Sequence, residues 1–208
     1  MKNALQRLGL SLLLGSALLV MMTGLAHAGP ATDFISARVK EVRTLLAKSA
    51  PNARARAALD KALLTAVTPL IDFPGLSERS LGRHWAGLNK AQRSEFMALF
   101  KELVFRSYLK RVRRANESYT LSYEEEEPRS PGVYVLALSE TNAMEVEIGF
   151  HMVKTGKSGN RAWIAYDLVI DEVSLTENYR EQFNRIILKD GFDALLKLMR
   201  KKVEGLRD

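Results

Sequence analysis

The sequence predicts an α+β domain in which helices wrap a curved antiparallel sheet of four strands. Two changes of periodicity support this fold class. Apolar residues recur at helical spacing as far as about Arg114, alternate between Ser118 and Ile170, and return to helical spacing from Tyr179. A third observation is that the predicted strands follow one another with only short loops between them. Such connections join antiparallel neighbours in a meander.

The N-terminal segment is predicted to be a signal peptide rather than part of the fold. Residues 1–28 combine a positively charged start, an apolar stretch over 8–20 and the small-residue site Ala-His-Ala at 26–28. We therefore expect cleavage after this site and a single exported domain of residues 29–208. The chain contains no Cys, so we expect a soluble product without disulfides or a lipid-modified Cys.

Two helices are predicted at the start of this domain. Thr32 or Asp33 can cap the first helix, and Pro51 marks its end. The second helix covers residues 52–67. Residues 70–73 are then predicted to form a buried connector, because prolines on both sides interrupt the helical pattern.

A short helix and the longest helix of the chain follow. The short helix is expected to begin at Ser77 and to end near Gly82. Asn89 and Gln92 have the spacing of a capping box, in which each side chain bonds to the backbone N–H of the other residue. The box predicts the start of a long helix that continues to about Arg114 with one broad apolar face.

Alternating apolar and polar residues predict the sheet. The candidate strands are residues 118–123, 133–138, 144–153 and 162–170. The acidic segment EEEEPRSPG between the first two is predicted to be a solvated loop, Thr141-Asn142 a turn, and TGKSGN a hairpin turn. In the third strand, Ile148 and Phe150 lie on one side and His151 lies on the other.

The segment 163–187, WIAYDLVIDEVSLTENYREQFNRII, joins the last strand to a helix. The strand is apolar on both faces apart from Asp167, as expected for a strand covered on both sides. Ser174 and Thr176 can accept hydrogen bonds from the free N–H groups at the start of the helix. Gly191 separates this helix from a final one with its own apolar face.

Charge narrows the possible partners. The formal charge is +7, and removal of residues 1–28 takes away two positive charges and no acidic residue, which leaves +5. This balance permits attraction to anionic membranes, whereas export makes nucleic acid an unexpected partner. The basic residues Lys110, Arg111, Arg113 and Arg114 suit the negative end of a helix dipole. The alternative is a surface for anionic headgroups or an acidic protein.

Few residues offer catalytic chemistry. Within residues 29–208 the only histidines are His84 and His151, and no HExxH motif occurs, so the sequence predicts neither a metal site nor a nucleophilic site. Asp167 is a candidate general base because it lies in an apolar strand. We favour a structural role for Asp167, paired with an Arg or with backbone N–H groups, and a surface or hydrogen-bonded position for His84.

Two segments resemble the MlaC or toluene-tolerance family of periplasmic phospholipid-binding proteins. They are LGRHWAGLNKAQRSEFMALFKELVFRSYL at 81–109 and the pattern WxxYDxxIxxVSLxxNYRxQFxxII at 163–187. The resemblance implies a cone-like fold similar to the nuclear transport factor superfamily, with a deep apolar pocket for phospholipid acyl chains. It implies a non-enzymatic periplasmic shuttle between an inner-membrane ABC transporter complex and an outer-membrane lipoprotein complex. Such a shuttle maintains outer-membrane lipid asymmetry and carries phospholipid as cargo without a cofactor. We expect a monomer.

The resemblance also implies residues that line the pocket. Tyr108 and Val173 lie where the family pattern places such residues, and the remaining candidates, chosen by face and position, are Leu81, Phe100, Val104, Ile148, Phe150, Ile164 and Tyr166. The family commonly has Gly immediately before the VSL motif, where this chain has Glu172. If that Gly serves an unusual backbone angle, we expect Glu172 to form a slightly different corner.

Three alternatives stay open on the sequence alone. The same pocket suits a hopanoid or another lipid. A small isomerase or hydratase on this type of fold would use Asp167 as its base. The apolar residues also suit a filled core in a purely structural adaptor.

Overall fold

The computed structural model describes residues 29–115, 120–140, 145–156 and 162–207, and every structural statement below concerns these residues. The α-helices of this part are α1 Pro30–Leu46, α2 Ala53–Val67, α3 Phe73–Leu81, α4 Lys90–Ala115, α5 Leu175–Asp190 and α6 Phe192–Gly205, and two short 3₁₀ helices cover Thr68–Leu70 and Gly82–Gly87. The strands are β1 Thr120–Arg129, β2 Gly132–Glu140, β3 Glu145–Thr155, β4 Ala162–Ile170 and β5 Val173–Ser174. No helix in the described ranges combines the length and apolar character needed to cross a membrane.

The strands form one antiparallel sheet in sequence order, β1-β2-β3-β4-β5, with helices packed around it. This confirms the predicted α+β fold class. The sheet has five strands rather than four, because the two residues of β5 pair with Val169 and Ile170 at the end of β4. A strand of two residues is too short to show an alternating pattern in the sequence.

Two bulges interrupt the register of the sheet. In β1 the pairing passes from Tyr123 to Glu125, and in β4 it passes from Ala165 to Asp167. Glu124 and Tyr166 are therefore the extra residues in their strands. Bulges bend a strand and increase its twist, so these two positions contribute to the curvature of the sheet.

The acidic segment that we predicted to be a solvated loop is part of β1, and that prediction was wrong. The strand continues to Arg129. The side chain of Glu126 explains why an acidic residue belongs here, since its carboxylate accepts hydrogen bonds from the backbone N–H of Ala31 at 3.4 Å and of Thr32 at 2.8 Å. The hydroxyl of Thr32 donates a third hydrogen bond to the same carboxylate, at 2.6 Å. Glu126 thus satisfies free N–H groups at the start of α1 and stabilises its positive end.

This contact also changes the predicted start of α1. The helix begins at Pro30, after Gly29, and no side chain from the first turn itself caps it. Thr32 and Asp33 lie inside the helix rather than at its cap. A strand distant in sequence performs the capping, which no local motif predicts.

The short helix α3 begins at Phe73, four residues before the predicted start at Ser77. Asp72 caps it by accepting a hydrogen bond from the backbone N–H of Gly75 at 3.0 Å. Pro74 lies in the first turn, where its missing N–H costs no helical hydrogen bond. The connector is buried at Leu70 and Phe73, as predicted, although Phe73 already belongs to the helix.

Other predicted helix ends are confirmed. The Asn52 side chain caps α2, and Asn89 and Gln92 form the reciprocal hydrogen bonds of a capping box at 2.9 and 3.0 Å. The hydroxyl of Ser174 accepts a hydrogen bond from the N–H of Glu177 at the start of α5. Gly191, at φ +87°, separates α5 from α6.

The corner between β4 and β5 uses unusual backbone angles. Asp171 has φ +48° and Glu172 has φ +65°, the left-handed region that favours Gly. The unusual angle suspected at position 172 is therefore present, with Glu adopting it.

Buried apolar side chains form three clusters. The helical cluster joins α3, α4, α5 and α6 and includes Phe73, Leu76, Leu81, Phe96, Phe100, Leu103, Val104, Leu175, Phe183, Leu195, Leu196, Met199 and Val203. The sheet cluster joins α1 to the sheet and includes Ala31, Ile35, Leu70, Val135, Ala137, Phe150, Met152 and Ala165. A smaller cluster of Leu63, Phe105 and Leu109 holds α2 on α4.

Some predicted features lie outside the described residues. They include the signal peptide, the Thr141-Asn142 turn, Met144 and Ser118, and most of the TGKSGN turn.

Candidate functional site

Four of the predicted pocket-lining residues lie together in the helical cluster. Leu81 on α3 and Phe100 and Val104 on α4 are buried, and Tyr108 on α4 is partly buried against them. Phe100 packs among aromatic rings, with centroid distances of 5.5 Å to Phe96, 4.8 Å to Tyr179 and 5.3 Å to Phe183. These residues form one apolar wall, the helical wall.

Three further candidates lie on the face of the sheet that α1 covers. Phe150 is buried in the sheet cluster, and Ile148 is partly buried against it. Ile148 pairs with Ile170, and Ile170 pairs with Val173, so these three residues cross β3, β4 and β5 in one row. The row becomes more exposed toward its end, where 53% of Val173 is accessible. This apolar row and Phe150 form a second wall, the sheet wall.

Ile164 and Tyr166 lie on the opposite face of the sheet from Phe150. Ile164 precedes the buried Ala165, and successive residues of a strand point to opposite faces. The ring of Tyr166 lies 5.5 Å from that of His151, and the ring of His151 lies 5.0 Å from that of Tyr134. The register therefore separates these two candidates from the sheet wall, and their predicted role in lining a pocket stays a prediction.

The face of the sheet opposite Phe150, which we call the outer face, carries aromatic and basic side chains. The guanidinium of Arg79 lies over Tyr166 and donates a hydrogen bond to its carbonyl oxygen, and Arg129 lies over Tyr134 at 4.5 Å. Partial burial raises the pKa of Tyr134 and lowers the pKa of His151, because it disfavours the charged form of each side chain. A row of neighbouring, tilted aromatic rings with guanidinium groups over two of them thus crosses this face.

The helical and sheet walls meet at the segment before α3, where Ile71 forms a parallel bridge with Ala165 of β4 and the N–H of Asp72 donates to the carbonyl oxygen of Ala165 at 2.9 Å. In the described part of the chain, Ile71 and Leu168 are the residues that pack against both clusters. Leu168 pairs with Phe150 across β3 and β4. The seam between the two walls is therefore the place where apolar surfaces from both sides face one another.

Three surface clefts are also present, with volumes of about 450, 580 and 420 Å³. Arg79 and Asp167 border the first cleft. Asp60 and Arg106 border the second cleft, and Arg180 borders the third. Each opens to solvent and is bordered by charged side chains. None of the three matches a deep, enclosed apolar pocket, so that pocket stays a prediction from the family resemblance.

Asp167 is engaged in hydrogen bonds that fix the corner after β4. One carboxylate oxygen accepts from the N–H of Leu168 at 2.9 Å, the N–H of Thr176 at 3.0 Å and the hydroxyl of Thr176 at 2.8 Å. The other accepts from the hydroxyl of Ser174 at 2.6 Å. Backbone N–H groups are indeed its partners, as the structural interpretation predicted, although hydroxyl groups rather than an Arg complete the set.

The two histidines have structural surroundings. Nε2 of His84 lies 2.9 Å from the amide oxygen of Asn184, as expected for a hydrogen-bonded residue. His151 belongs to the outer aromatic row. Within the described ranges, no group of three or more His, Cys, Asp or Glu residues is placed to hold a metal ion.

Residues that sequence reasoning did not select complete the two walls. Leu168 and Ile170 belong to the sheet wall, and Tyr179 contacts Phe100 in the helical wall. Tyr179 was recognised as apolar by its helical spacing. Ile170 has no distinctive local pattern, because its place beside Val173 depends on the short strand β5.

Comparison with known proteins places this architecture in a family. A model of the MlaC protein family matches residues 37–201. The fold is also similar to that of a phospholipid-binding protein from Ralstonia solanacearum, solved in complex with a phospholipid. The two chains are 21% identical, with a TM-score of 0.69, and the similarity covers 86% of this chain and 100% of the other. No curated protein matches the sequence significantly. The match over residues 37–201 shows that the chain belongs to the MlaC family.

Proposed function

We propose that this protein binds a phospholipid, with the acyl chains in the seam between the helical wall and the sheet wall. The observation that supports this most strongly is the similar fold of the Ralstonia solanacearum protein, which was solved with a phospholipid. Val173 marks the mouth of the seam, because it is an exposed apolar residue at the end of the row formed with Ile148 and Ile170.

The seam suits acyl chains because both of its sides are apolar. Moving one CH₂ group out of water contributes about 0.8 kcal/mol, so two chains of about fifteen carbons contribute on the order of 20 kcal/mol gross. Entry of the chains requires the walls to separate around Ile71 and Leu168. The side chains of Ile71 and Leu168 pack against both clusters, so separation exchanges their apolar contacts for contacts with the acyl chains.

The cellular role in this proposal is that of a soluble periplasmic shuttle. The predicted signal peptide supports export. The family resemblance supports transfer between an inner-membrane ABC transporter complex and an outer-membrane lipoprotein complex, with maintenance of outer-membrane lipid asymmetry as the result. A carrier of this kind needs an apolar interior and no reactive side chain.

Carriage is a better proposal than catalysis for this chain. Asp167 is the acid that an isomerase would use, and it accepts four hydrogen bonds from neighbouring groups at the corner. A general base must be within reach of a substrate proton. Asp167 borders the first cleft, but its carboxylate already accepts hydrogen bonds from Leu168, Ser174 and Thr176, and taking up a substrate proton would weaken them.

Mass spectrometry of the solvent extract from purified protein tests the proposal. We expect near-stoichiometric phospholipid with the wild-type chain and its loss in Val173→Glu, which places a charge at the mouth of the seam. Ala162→Glu is the matched control, because it adds the same charge at an exposed position at the other end of β4. We expect it to retain the lipid.

The alternatives predict different extracts. If the extract contains a hopanoid or another lipid in place of phospholipid, that lipid is the cargo. An extract without any lipid, from repeated mild preparations, would overturn lipid carriage. Phospholipid retained by folded Val173→Glu would remove Val173 from the site.

A further inference from the structure

The helices α5 and α6 each expose one leucine. The large apolar residues with about half or more of their surface accessible in the described structure are Val173 at 53%, Leu188 at 65% and Leu198 at 48%. Val173 belongs to the seam. Leu188 lies in the last turn of α5 and Leu198 lies on α6, and neither packs in a described apolar cluster.

Exposed cations accompany both leucines. On α5, Arg185 precedes Leu188 by three residues, the spacing of neighbours on one helix face, and the exposed Lys189 is the next residue in the chain. On α6, Leu198 is accompanied by Lys197, Lys201 and Lys202.

These residues lie outside the face of α6 that packs in the core. The buried residues of the helix are Leu195, Leu196, Met199 and Val203. We call the exposed residues Arg185, Leu188, Lys189, Lys197, Leu198, Lys201 and Lys202 the basic-leucine surface.

The cations of this surface have no acidic partner in the described part of the chain. Its five basic residues form no ion pair there, whereas the neighbouring Arg200 is paired with Glu95. Exposed acids on the same two helices reduce the local positive charge, although none forms an ion pair with these side chains in the described ranges: Glu181, Asp190, Asp193 and Glu204. The surface therefore combines unpaired positive charge with exposed leucines.

We propose that the basic-leucine surface docks on an anionic lipid bilayer. The main apolar face of α6 packs in the core, so only the two leucines of this surface are free to enter a membrane, and the basic residues around them match the polar face of helices that bind at the headgroup boundary. The cations attract anionic headgroups, and the leucines enter the apolar region just below them. A protein partner fits this surface less well, because the cores of protein interfaces are depleted in Lys.

This docking goes beyond carriage of a lipid and does not depend on it. The surface lies on the outward side of α5 and α6, whereas the seam lies between the helical and sheet walls. A protein with an empty seam would still dock, and a protein without the surface would still have a seam.

Vesicle sedimentation with the mature chain tests the proposal. Vesicles of phosphatidylcholine with about 30% phosphatidylglycerol should bind the protein at low salt, vesicles of phosphatidylcholine alone should not, and added salt should weaken binding. Lys197→Glu combined with Lys201→Glu should weaken the affinity at least about tenfold. The control combines Lys40→Glu with Lys61→Glu on α1 and α2, which changes the net charge equally at exposed positions.

The leucines give an independent measurement. Leu188→Ser combined with Leu198→Ser should keep the charge but remove the binding that persists at moderate salt. Val173→Glu should bind vesicles like the wild-type chain, which separates this proposal from the proposed cargo site.

Several results would overturn the proposal. The first is a wild-type chain that does not bind the anionic vesicles. The second is an equal loss of vesicle affinity in the control pair of lysine variants, and the third is unchanged vesicle binding by the serine variants. Absence of vesicle binding together with capture of an acidic protein by this surface would assign it to a protein partner instead.

Discussion

Replacing Asp167 by Ala removes the acceptor of four hydrogen bonds at the corner between β4 and α5. Two of the donors are backbone N–H groups, of Leu168 and Thr176, and two are the hydroxyls of Ser174 and Thr176. Hydrogen bonds to a charged group each contribute about 1.5–3 kcal/mol. Because the four share one carboxylate and some donors regain water, we expect a loss of about 4 kcal/mol in the free energy of unfolding.

Asp167→Asn should be much less damaging. Its amide oxygen can still accept from Leu168 and Thr176, and its NH₂ group can donate to the hydroxyl of Ser174. We expect a loss of about 1–2 kcal/mol, mainly from the missing charge. For a domain of this size, each kcal/mol lowers Tm by about 2–4 °C, so the Asp167→Ala variant should melt roughly 8–16 °C below the wild-type protein.

Urea denaturation followed by circular dichroism measures these differences, provided that the slope with denaturant stays constant. Asp193→Ala is a suitable control, since this exposed acid in the first turn of α6 should contribute less than about 1 kcal/mol. An Asp167→Ala protein within about 1 kcal/mol of wild type would refute the view that these hydrogen bonds hold the corner. Equal losses for the Asp167→Asn and Asp167→Ala variants would show that charge alone, and not the geometry of acceptance, is important.

Three further predictions concern single side chains. Glu126→Gln should destabilise the protein by about 1 kcal/mol in urea denaturation, because the N–H groups of α1 lose a charged cap, and an unchanged midpoint would contradict this role. Glu172→Gly should stabilise it by roughly 0.5–1 kcal/mol by the same measurement, since φ +65° favours Gly, and a loss of stability would contradict the strain. Burial lowers the pKa of His151 from 6.5, so its protonation favours the unfolded chain and stability should fall as pH drops below about 6.5. His151→Gln should flatten that part of the stability profile between about pH 7 and 5, and an unchanged slope would contradict the assignment.

Local features of the fold were predictable from the sequence because their causes are local. The capping box of Asn89 and Gln92 and the cap at Ser174 involve residues a few positions apart, and the periodicities of α4 and β3 report directly which element forms. The antiparallel order of the sheet follows from its short connections.

Features that depend on distant residues were not predictable in the same way. Glu126 lies in a run of acids that suits a loop, and it becomes a strand residue because α1, far earlier in the chain, supplies donors for its carboxylate. The start of α1 was misplaced for the same reason. Phe73 begins α3 because Asp72 caps it, although the following Pro-Gly pair suggested an interruption.

The burial of the candidate residues was predictable on α4 but less so on β4. Phe100 and Val104 follow a helix face that only one side of the helix can bury. The strand over 162–170 is apolar on both faces, so alternation does not show whether Ile164 or Ala165 faces the core. The bulge at Tyr166 also inserts an extra residue, which shifts the alternation of the residues after it. Which face meets α1 is decided by the packed structure.

The meander order of the sheet bears on how the chain folds. Each strand pairs with its neighbour in sequence, so the sheet needs only short loop closures, whereas α1 reaches β1 across a sequence separation of 94 to 95 residues. Contacts of low sequence separation form fast, and distant ones form late. We therefore expect α1 to dock after the sheet has formed, so that Glu126→Gln accelerates unfolding more than it slows folding. The apolar face of the sheet would then form first and be covered by this helix later.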